Sequence, residues 1–287
     1  MGIELYSIEA GRFKLDGGAM FGVVPKSLWS RLNPPDDNNM CTWSMRCLLV
    51  IEGNRRILID TGMGTKQDEK FRSHFHPHGD TDLEKSLIAK GFQPEDITDV
   101  FITHLHFDHV GGAVKYNEKG LLTPTFPNAK YWSNKRHYQW AIDPNAREKA
   151  SFLRENFVPL AEQGVMEFID IEEHLPFSDH IRIRFVYGHT EAMMIPSIAL
   201  GNGKELHYCA DLLPSHGHIG LPYVMAYDVR PLDTIQEKEL FFEEVSQPGH
   251  YLFLEHDKDF ECITVVKNDK SRIVMGETLN LGDIITM

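Results

Sequence analysis

Residues 101–112 read Phe-Ile-Thr-His-Leu-His-Phe-Asp-His-Val-Gly-Gly, and no other stretch limits the fold so tightly. Val100–Thr103 is a short apolar run of the kind a buried strand needs, and it stops at His104. His104 and His106 are two apart, so on extended backbone they share a face. The chain must then turn, which brings Asp108 and His109 to a second point nearby. Three imidazoles and a carboxylate within six residues suit a divalent transition metal, Zn²⁺ first, with Mn²⁺ or Fe²⁺ as alternatives. Gly111 and Gly112 let the backbone turn sharply into a helix.

Four donors cannot fill the shells of two ions, so further ligands are expected at other strand ends. Three candidates stand there. His189 follows the alternating strand Ile181–Val186, Asp211 follows Glu205–Ala210, and His256 follows the apolar run Tyr251–Leu254. Other strands are predicted at Met45–Glu52 and Arg55–Asp60 around a Gly53-Asn54 turn, at Ser197–Leu200, at Glu261–Val266 and at Arg272–Val274. Helices are predicted at Leu83–Lys90, stopped by Gly91, at Ala146–Leu160, and from a Thr234-x-x-Glu237 capping box to about Ser246. Strands and helices interleave along the chain without a low-complexity linker. The expected fold class is therefore mixed α/β (α+β), with residues 1–287 as a single domain.

The charge excludes one class of partner. A formal net charge of −13 repels a phosphate backbone, so nucleic acid is not expected. No window approaches the 18 or so apolar residues of a membrane span, and the N-terminus has no basic start followed by an apolar core. Cys41, Cys47, Cys209 and Cys262 are scattered without paired spacing, as reduced buried thiols are. A cytoplasmic protein is expected on these grounds.

The ordered set His-x-His-x-Asp-His, then a distant His, an Asp and a final His, resembles the metallo-β-lactamase superfamily over nearly the whole chain. Asp16–Lys26 (DGGAMFGVVPK), His106–His109 and Met225–Asp228 (MAYD) are similar to its quorum-quenching N-acyl-homoserine lactonase-like branch. The resemblance implies a four-layer αβ/βα sandwich and two metal ions. His104, His106 and His189 would hold one ion, Asp108, His109 and His256 the other, and Asp211 would bridge. Asp60, in Ile-Leu-Ile-Asp-Thr-Gly, would orient a ligand histidine without touching metal. A metal-bridging hydroxide would attack a carbonyl, with Asp108 and Asp211 as the catalytic carboxylates and a small-molecule ester or lactone as substrate. An Asp at the bridging position, where β-lactamases carry Cys, argues against β-lactam hydrolysis. Several lactonases of this branch carry Tyr three residues after the bridging Asp, whereas Pro214 stands here.

Weaker signals remain. Met20, Phe21, Phe107, His218, Tyr223 and Met225 could line an acyl pocket, though apolar residues of this kind are also ordinary core. His74, His76 and His78 with Asp80 read as a surface loop within Ser73–Asp82, a lid being the functional alternative. The acidic residues of Gln236–Glu244 read as a solvated helix face. A phosphotriesterase or aryl-esterase on the same two ions is the rival activity. A metal-dependent binding protein on this scaffold is the rival outside catalysis. The sequence leaves a homodimer open.

Overall fold

Met45 to Val50 are buried without a break, so this segment is enclosed on both faces, as a strand inside a layered sheet must be. It belongs to the first of two compact units in the computed structural model, which describes residues 2–172 and 174–286. The first unit comprises Met1–Phe13 and Met45–Glu172, the second Lys14–Ser44 and Glu173–Met287. Each carries its own sheet, and the chain is mixed α/β.

The first unit holds most of β1 (Ile3–Asp16) and β2 (Met40–Glu52) and all of β3 (Arg55–Ile59), β4 (Asp99–Phe101), β5 (Val114–Tyr116), β6 (Leu122–Pro124), β7 (Lys130–Asn134) and β8 (Met166–Ile169). Six of them form a sheet in the order β1-β2-β3-β4-β7-β8, and β5 pairs with β6 alone. The predicted hairpin is present: Glu52 lies opposite Arg55 and Leu48 opposite Ile59. From β3 onward the neighbours β4, β7 and β8 are parallel, so their C-terminal ends share one edge. Leu49, Leu58, Val100, Ile102, Tyr131 and Phe157 are buried in the core of this unit.

Local chemistry decides the helices. Asp82 accepts the Lys85 N–H at 2.9 Å and starts Leu83–Ala89, and Gly91 at φ +88° follows its end. The helix predicted over Ala146–Leu160 does not form. A short 3-10 turn at Arg154–Asn156 precedes a separate helix, Val158–Glu162, with Pro159 in its first turn, where the missing N–H is harmless. The predicted loop from Ser73 is also shorter than expected. Asp68 caps a helix at Glu69–Phe75, and His76 ends it at φ +43°. His78 then pairs with Arg12 through two backbone hydrogen bonds of 2.8 and 2.9 Å.

The second unit holds β9 (Leu175–Pro176), β10 (Ile181–Val186), β11 (Met193–Gly201), β12 (Lys204–Tyr208), β13 (His250–Phe253), β14 (Cys262–Lys267) and β15 (Ile273–Leu279), ordered β15-β14-β13-β12-β11-β10-β9. β12 and β13 are parallel, joined through the helix Pro231–Val245. β10 runs in the same direction as both, because it is antiparallel to β11 and β11 to β12. The helix starts three residues before the predicted capping box, with Pro231 in its first turn. Glu237 is not a cap: its carboxylate accepts the N–H groups of Tyr187 at 2.6 Å and Gly188 at 3.0 Å. Glu239 and Glu243 are exposed, as a solvated face requires, but Glu244 pairs with Arg184.

Candidate metal centre

The first unit places its donors just past β4. His106 opens a single helical turn, Phe107–Val110, and Gly111–Ala113 continues it as a 3-10 turn. His104 Nε2 lies 3.1 Å from His106 Nδ1, and Asp108 Oδ2 lies 4.0 Å from His109 Nε2. The rings of His104 and His109 are 3.9 Å apart. The glycines serve a different purpose from the sharp turn expected of them. Gly111 has ordinary helical φ, but a Cβ there would sit 2.0 Å from the Met63 carbonyl, and one on Gly112 would sit 2.2 Å from that of Thr61. Close backbone approach therefore demands them. Lys66, brought down to about 7 by burial, donates to the Gly111 carbonyl.

Each histidine is steered through the nitrogen that points away from the donor cluster. Asp60 is fully buried at φ +58°. Its Oδ1 accepts the Thr103 N–H at 2.8 Å, and its Oδ2 accepts the Thr103 hydroxyl at 2.7 Å and faces His109 Nδ1 at 3.0 Å. Thr103 Oγ1 in turn meets His104 Nδ1 at 3.1 Å. Two further residues were not singled out in the sequence. Glu148, buried and held by Trp140 Nε1 at 2.7 Å, faces His106 Nε2 across 3.5 Å. His137, whose own N–H is capped by Asn134, accepts the Leu105 N–H on Nε2 at 2.8 Å and so fixes the loop between His104 and His106. The sequence sign of His137 is an Asn-x-x-His start to the helix Lys135–Ile142, and Glu148 has none of that kind.

The second unit places its donors past β10, β12 and β13. Asp211 Oδ2 faces His189 Nε2 at 2.9 Å and Asp211 Oδ1 faces His256 Nε2 at 3.2 Å. One carboxylate thus addresses two imidazoles through separate oxygens. Behind them, Asp228 Oδ1 holds His189 Nδ1 at 2.9 Å, and the Ser44 carbonyl accepts from His256 Nδ1 at 2.8 Å. The Pro214 carbonyl accepts the His256 N–H at 3.2 Å. Gly188 is required because a Cβ would lie 2.3 Å from Thr234 on the helix Pro231–Val245. His189 is pushed up to about 10: burial opposes its charge, and Asp211 with Asp228 outweighs burial. These carboxylates call for positive charge, which either a proton or a metal ion supplies. The donor chemistry fits zinc: neutral imidazole nitrogens and carboxylate oxygens, buried, with outward nitrogens anchored.

Of the residues proposed for an acyl pocket, five come together in the second unit. Phe21 stacks on His218 with centroids 4.6 Å apart and meets Tyr223 edge-on at 6.4 Å. The Met20 carbonyl accepts from His218 Nε2 at 2.9 Å. The segments 16–26 and 225–228 touch as well: the Ala226 N–H donates to the Ala19 carbonyl at 2.8 Å, beside Met225. Met20, Phe21, His218 and Met225 are buried, and Tyr223 is half-buried. Burial brings His218 down to about 3, so it is neutral. His216 is engaged by Asp257, which holds both its Nδ1 at 2.6 Å and its backbone N–H at 2.8 Å. In the first unit Phe107 packs against Phe71 and Phe75 at 5.2 and 4.5 Å. His74, His76 and His78 join none of these clusters among the described residues.

Comparison with known proteins follows the same lines. The metallo-beta-lactamase superfamily profile matches residues 46–190. An N-acyl homoserine lactonase of Bacillus cereus is 28% identical over 155 residues, a match that covers 45% of this chain and 58% of that protein's length. A probable metal-dependent hydrolase from Staphylococcus aureus superimposes with a TM-score of 0.85 at 27% identity, covering 98% of this chain and 99% of its own. The dizinc quorum-quenching lactonase AidC, solved with the product N-hexanoyl-L-homoserine, gives a TM-score of 0.78 at 22% identity, over 98% and 97% of the two chains, and so shares the fold. No helix among the described residues is long and apolar enough to cross a membrane.

Proposed function

Since the chain belongs to the metallo-β-lactamase superfamily, we propose that residues 1–287 act as one catalytic domain, a binuclear metal-dependent hydrolase that opens lactones of the N-acyl-homoserine type. His104, His106 and His189 are assigned to one ion, Asp108, His109 and His256 to the other, and Asp211 to both. The observation that carries this reading is the Asp211 carboxylate, whose two oxygens are directed at two different histidines, 2.9 and 3.2 Å away. A carboxylate so placed suits a bridge between two ions. Bound zinc would supply polarisation of a carbonyl and a lowered pKa for water.

The chain's own residues set the rest. Asp60, Asp228 and the Ser44 carbonyl orient imidazoles and hold their tautomers, and Glu148 sets a carboxylate 3.5 Å from His106 Nε2. Asp108, on the first helical turn past His106, is assigned to carry the proton to the leaving alkoxide. Pro214 offers no hydroxyl for that step, and its carbonyl is spent on the His256 N–H. Tyr223, half-buried against Phe21, is assigned to contact the acyl chain, with Met20, His218 and Met225 backing it and Phe107 as a second apolar contact.

The test is a substrate series. Each buried methylene is worth about 0.8 kcal/mol, so three more acyl carbons raise kcat/KM for homoserine lactones by up to roughly 50-fold. The zinc-loaded protein is expected to follow that rise and to prefer the lactones to an aryl ester of similar size. Rates indifferent to chain length, with phosphotriesters preferred, would move the assignment to phosphotriester hydrolysis.

A further inference from the structure

The second unit holds another cluster of metal-ligating side chains, on a different part of its sheet. Glu205 and His207 are two apart on β12 and share a face, His250 opens the parallel neighbour β13 directly beside Glu205, and Glu244 lies in the last turn of the helix Pro231–Val245. One ligand atom from each of the four lies within 4.8 Å of all the others. We propose that Glu205, His207, Glu244 and His250 form a binding site for a divalent transition-metal ion, zinc by its donor set, separate from the catalytic residues.

The geometry supports the assignment atom by atom. His207 Nε2 and His250 Nδ1 face each other at 2.9 Å. Glu205 Oε2 faces the same two nitrogens at 3.9 and 4.0 Å. Around tetrahedral zinc, donors sit about 2.0–2.2 Å from the ion and therefore roughly 3.3–3.5 Å from one another. An ion would push the imidazoles apart by about half an ångström and draw Glu205 in by about as much. Both shifts are within side-chain reach.

The neighbours orient the donors and balance their charge. Ser197, opposite His207 on β11, has its hydroxyl 2.8 Å from His207 Nδ1. When the hydroxyl accepts the hydrogen bond from Nδ1–H, the Nε2 lone pair faces the cluster. Glu205 gives its other oxygen, Oε1, to Arg182 at 2.5 Å, which leaves Oε2 for the site. Arg184 pairs with Glu244, so the two arginines balance the two carboxylates and a bound dication is the added charge. The C-terminal end of a 15-residue helix contributes its negative pole at Glu244. His207 is buried, while the side chains of Glu205, His250 and Glu244 are 20%, 17% and 33% exposed, so an ion reaches the site from solvent. Such an ion would tie β12, β13 and the helix together.

The experiment is a zinc count on the full chain, dialysed against buffered free Zn²⁺ and read by elemental analysis, with melting temperature measured in parallel. His250→Ala alters a partly exposed residue, and Glu205→Gln is a second variant should the first fail to fold. The parent is expected to hold one more zinc equivalent than either variant, and each variant to show a smaller zinc-dependent rise in melting temperature than the parent. His106→Ala, which removes a ligand assigned to catalysis, is expected to retain this extra equivalent, so the count here stands or falls apart from the hydrolase reading. Equal zinc content in parent and both variants across the zinc range would overturn the site.

Discussion

Replacing Asp60 by Asn isolates what a buried carboxylate does for a histidine it holds. Asn tolerates the left-handed φ of +58° at this position, so the backbone is not disturbed. Oδ1 still accepts the Thr103 N–H. The change is at Oδ2, which becomes an NH2 group facing the Thr103 hydroxyl at 2.7 Å and His109 Nδ1 at 3.0 Å. The hydroxyl can turn and accept, but at His109 Nδ1 donor meets donor in a site with no solvent access. His109 escapes by moving its proton to Nε2, the nitrogen that lies 4.0 Å from Asp108 Oδ2. A protonated Nε2 cannot ligate. Restoring the ligating tautomer means burying an N–H against an N–H, which costs about 1–3 kcal/mol. Zinc affinity should therefore fall about 10–100-fold, the scale expected for a group that orients a ligand. Stability of the metal-free protein should fall by about 2–4 kcal/mol from the lost charge-assisted contacts. Zinc competition against a chelator, urea unfolding, and a long-range nitrogen–proton spectrum of the His109 ring read the three effects. Zinc affinity within twofold of the parent, with the His109 proton still on Nδ1, would refute the argument.

Gly188→Ala should destabilise the chain by at least about 2 kcal/mol in urea, because its Cβ would lie 2.3 Å from Thr234 backbone and hydroxyl; an unchanged midpoint would show that the helix yields freely. Asp99 is held below the usual carboxylate range: burial opposes this, and Arg55, Thr98 and Trp132 outweigh burial. Its folded value is depressed, so its contribution is full above the unfolded value near 3.9 and is lost as pH falls through the folded one. Asp99→Asn should flatten that acid limb in urea titrations taken at successive pH values, and a limb of unchanged steepness would contradict this. Stripping metal with a chelator should lower the melting temperature, by about 4 kcal/mol of stability per site saturated at a thousandfold over its dissociation constant; a chelator-treated protein that melts unchanged would contradict metal binding to the folded chain.

The sequence was most legible where short-range chemistry decides. The strand Ile181–Val186 has the predicted ends because its apolar residues alternate, and Leu83–Ala89 has its cap and its glycine in the text. It failed where a tertiary contact competes. Thr234-x-x-Glu237 spells a capping box, but Glu237 is taken by two N–H groups of the loop that carries His189, and the helix starts at Pro231 instead. Apolar residues at near-helical spacing in 146–160 suggested one long helix, while Pro159 sets the start of a short one. Phe21 and Met20 read as ordinary core before pocket, since the bond from His218 to the Met20 carbonyl is a contact across 198 residues of chain that no local pattern encodes.

The same reasoning explains which histidines a sequence can place. In the first unit β3, β4 and β7 are parallel, and their C-terminal ends deliver Asp60, the run His104–His109 and the Asn134 cap of His137 to one sheet edge. In the second unit β10, β12 and β13 point alike and deliver His189, Asp211 and His256. Strand ends can be read from where an apolar run stops, and chemistry gathers at the carboxyl ends of such strands. A polar residue standing just past an apolar run therefore carries positional information even at one occurrence. His207 carries none of that kind. It stands inside β12, and only the pairing of β12 with β11 and β13 puts Ser197 behind it and His250 before it. Pairing partners 10 and 43 residues away are set by topology, not by spacing, so a cluster built across strands stays silent in the sequence while one built at strand ends speaks.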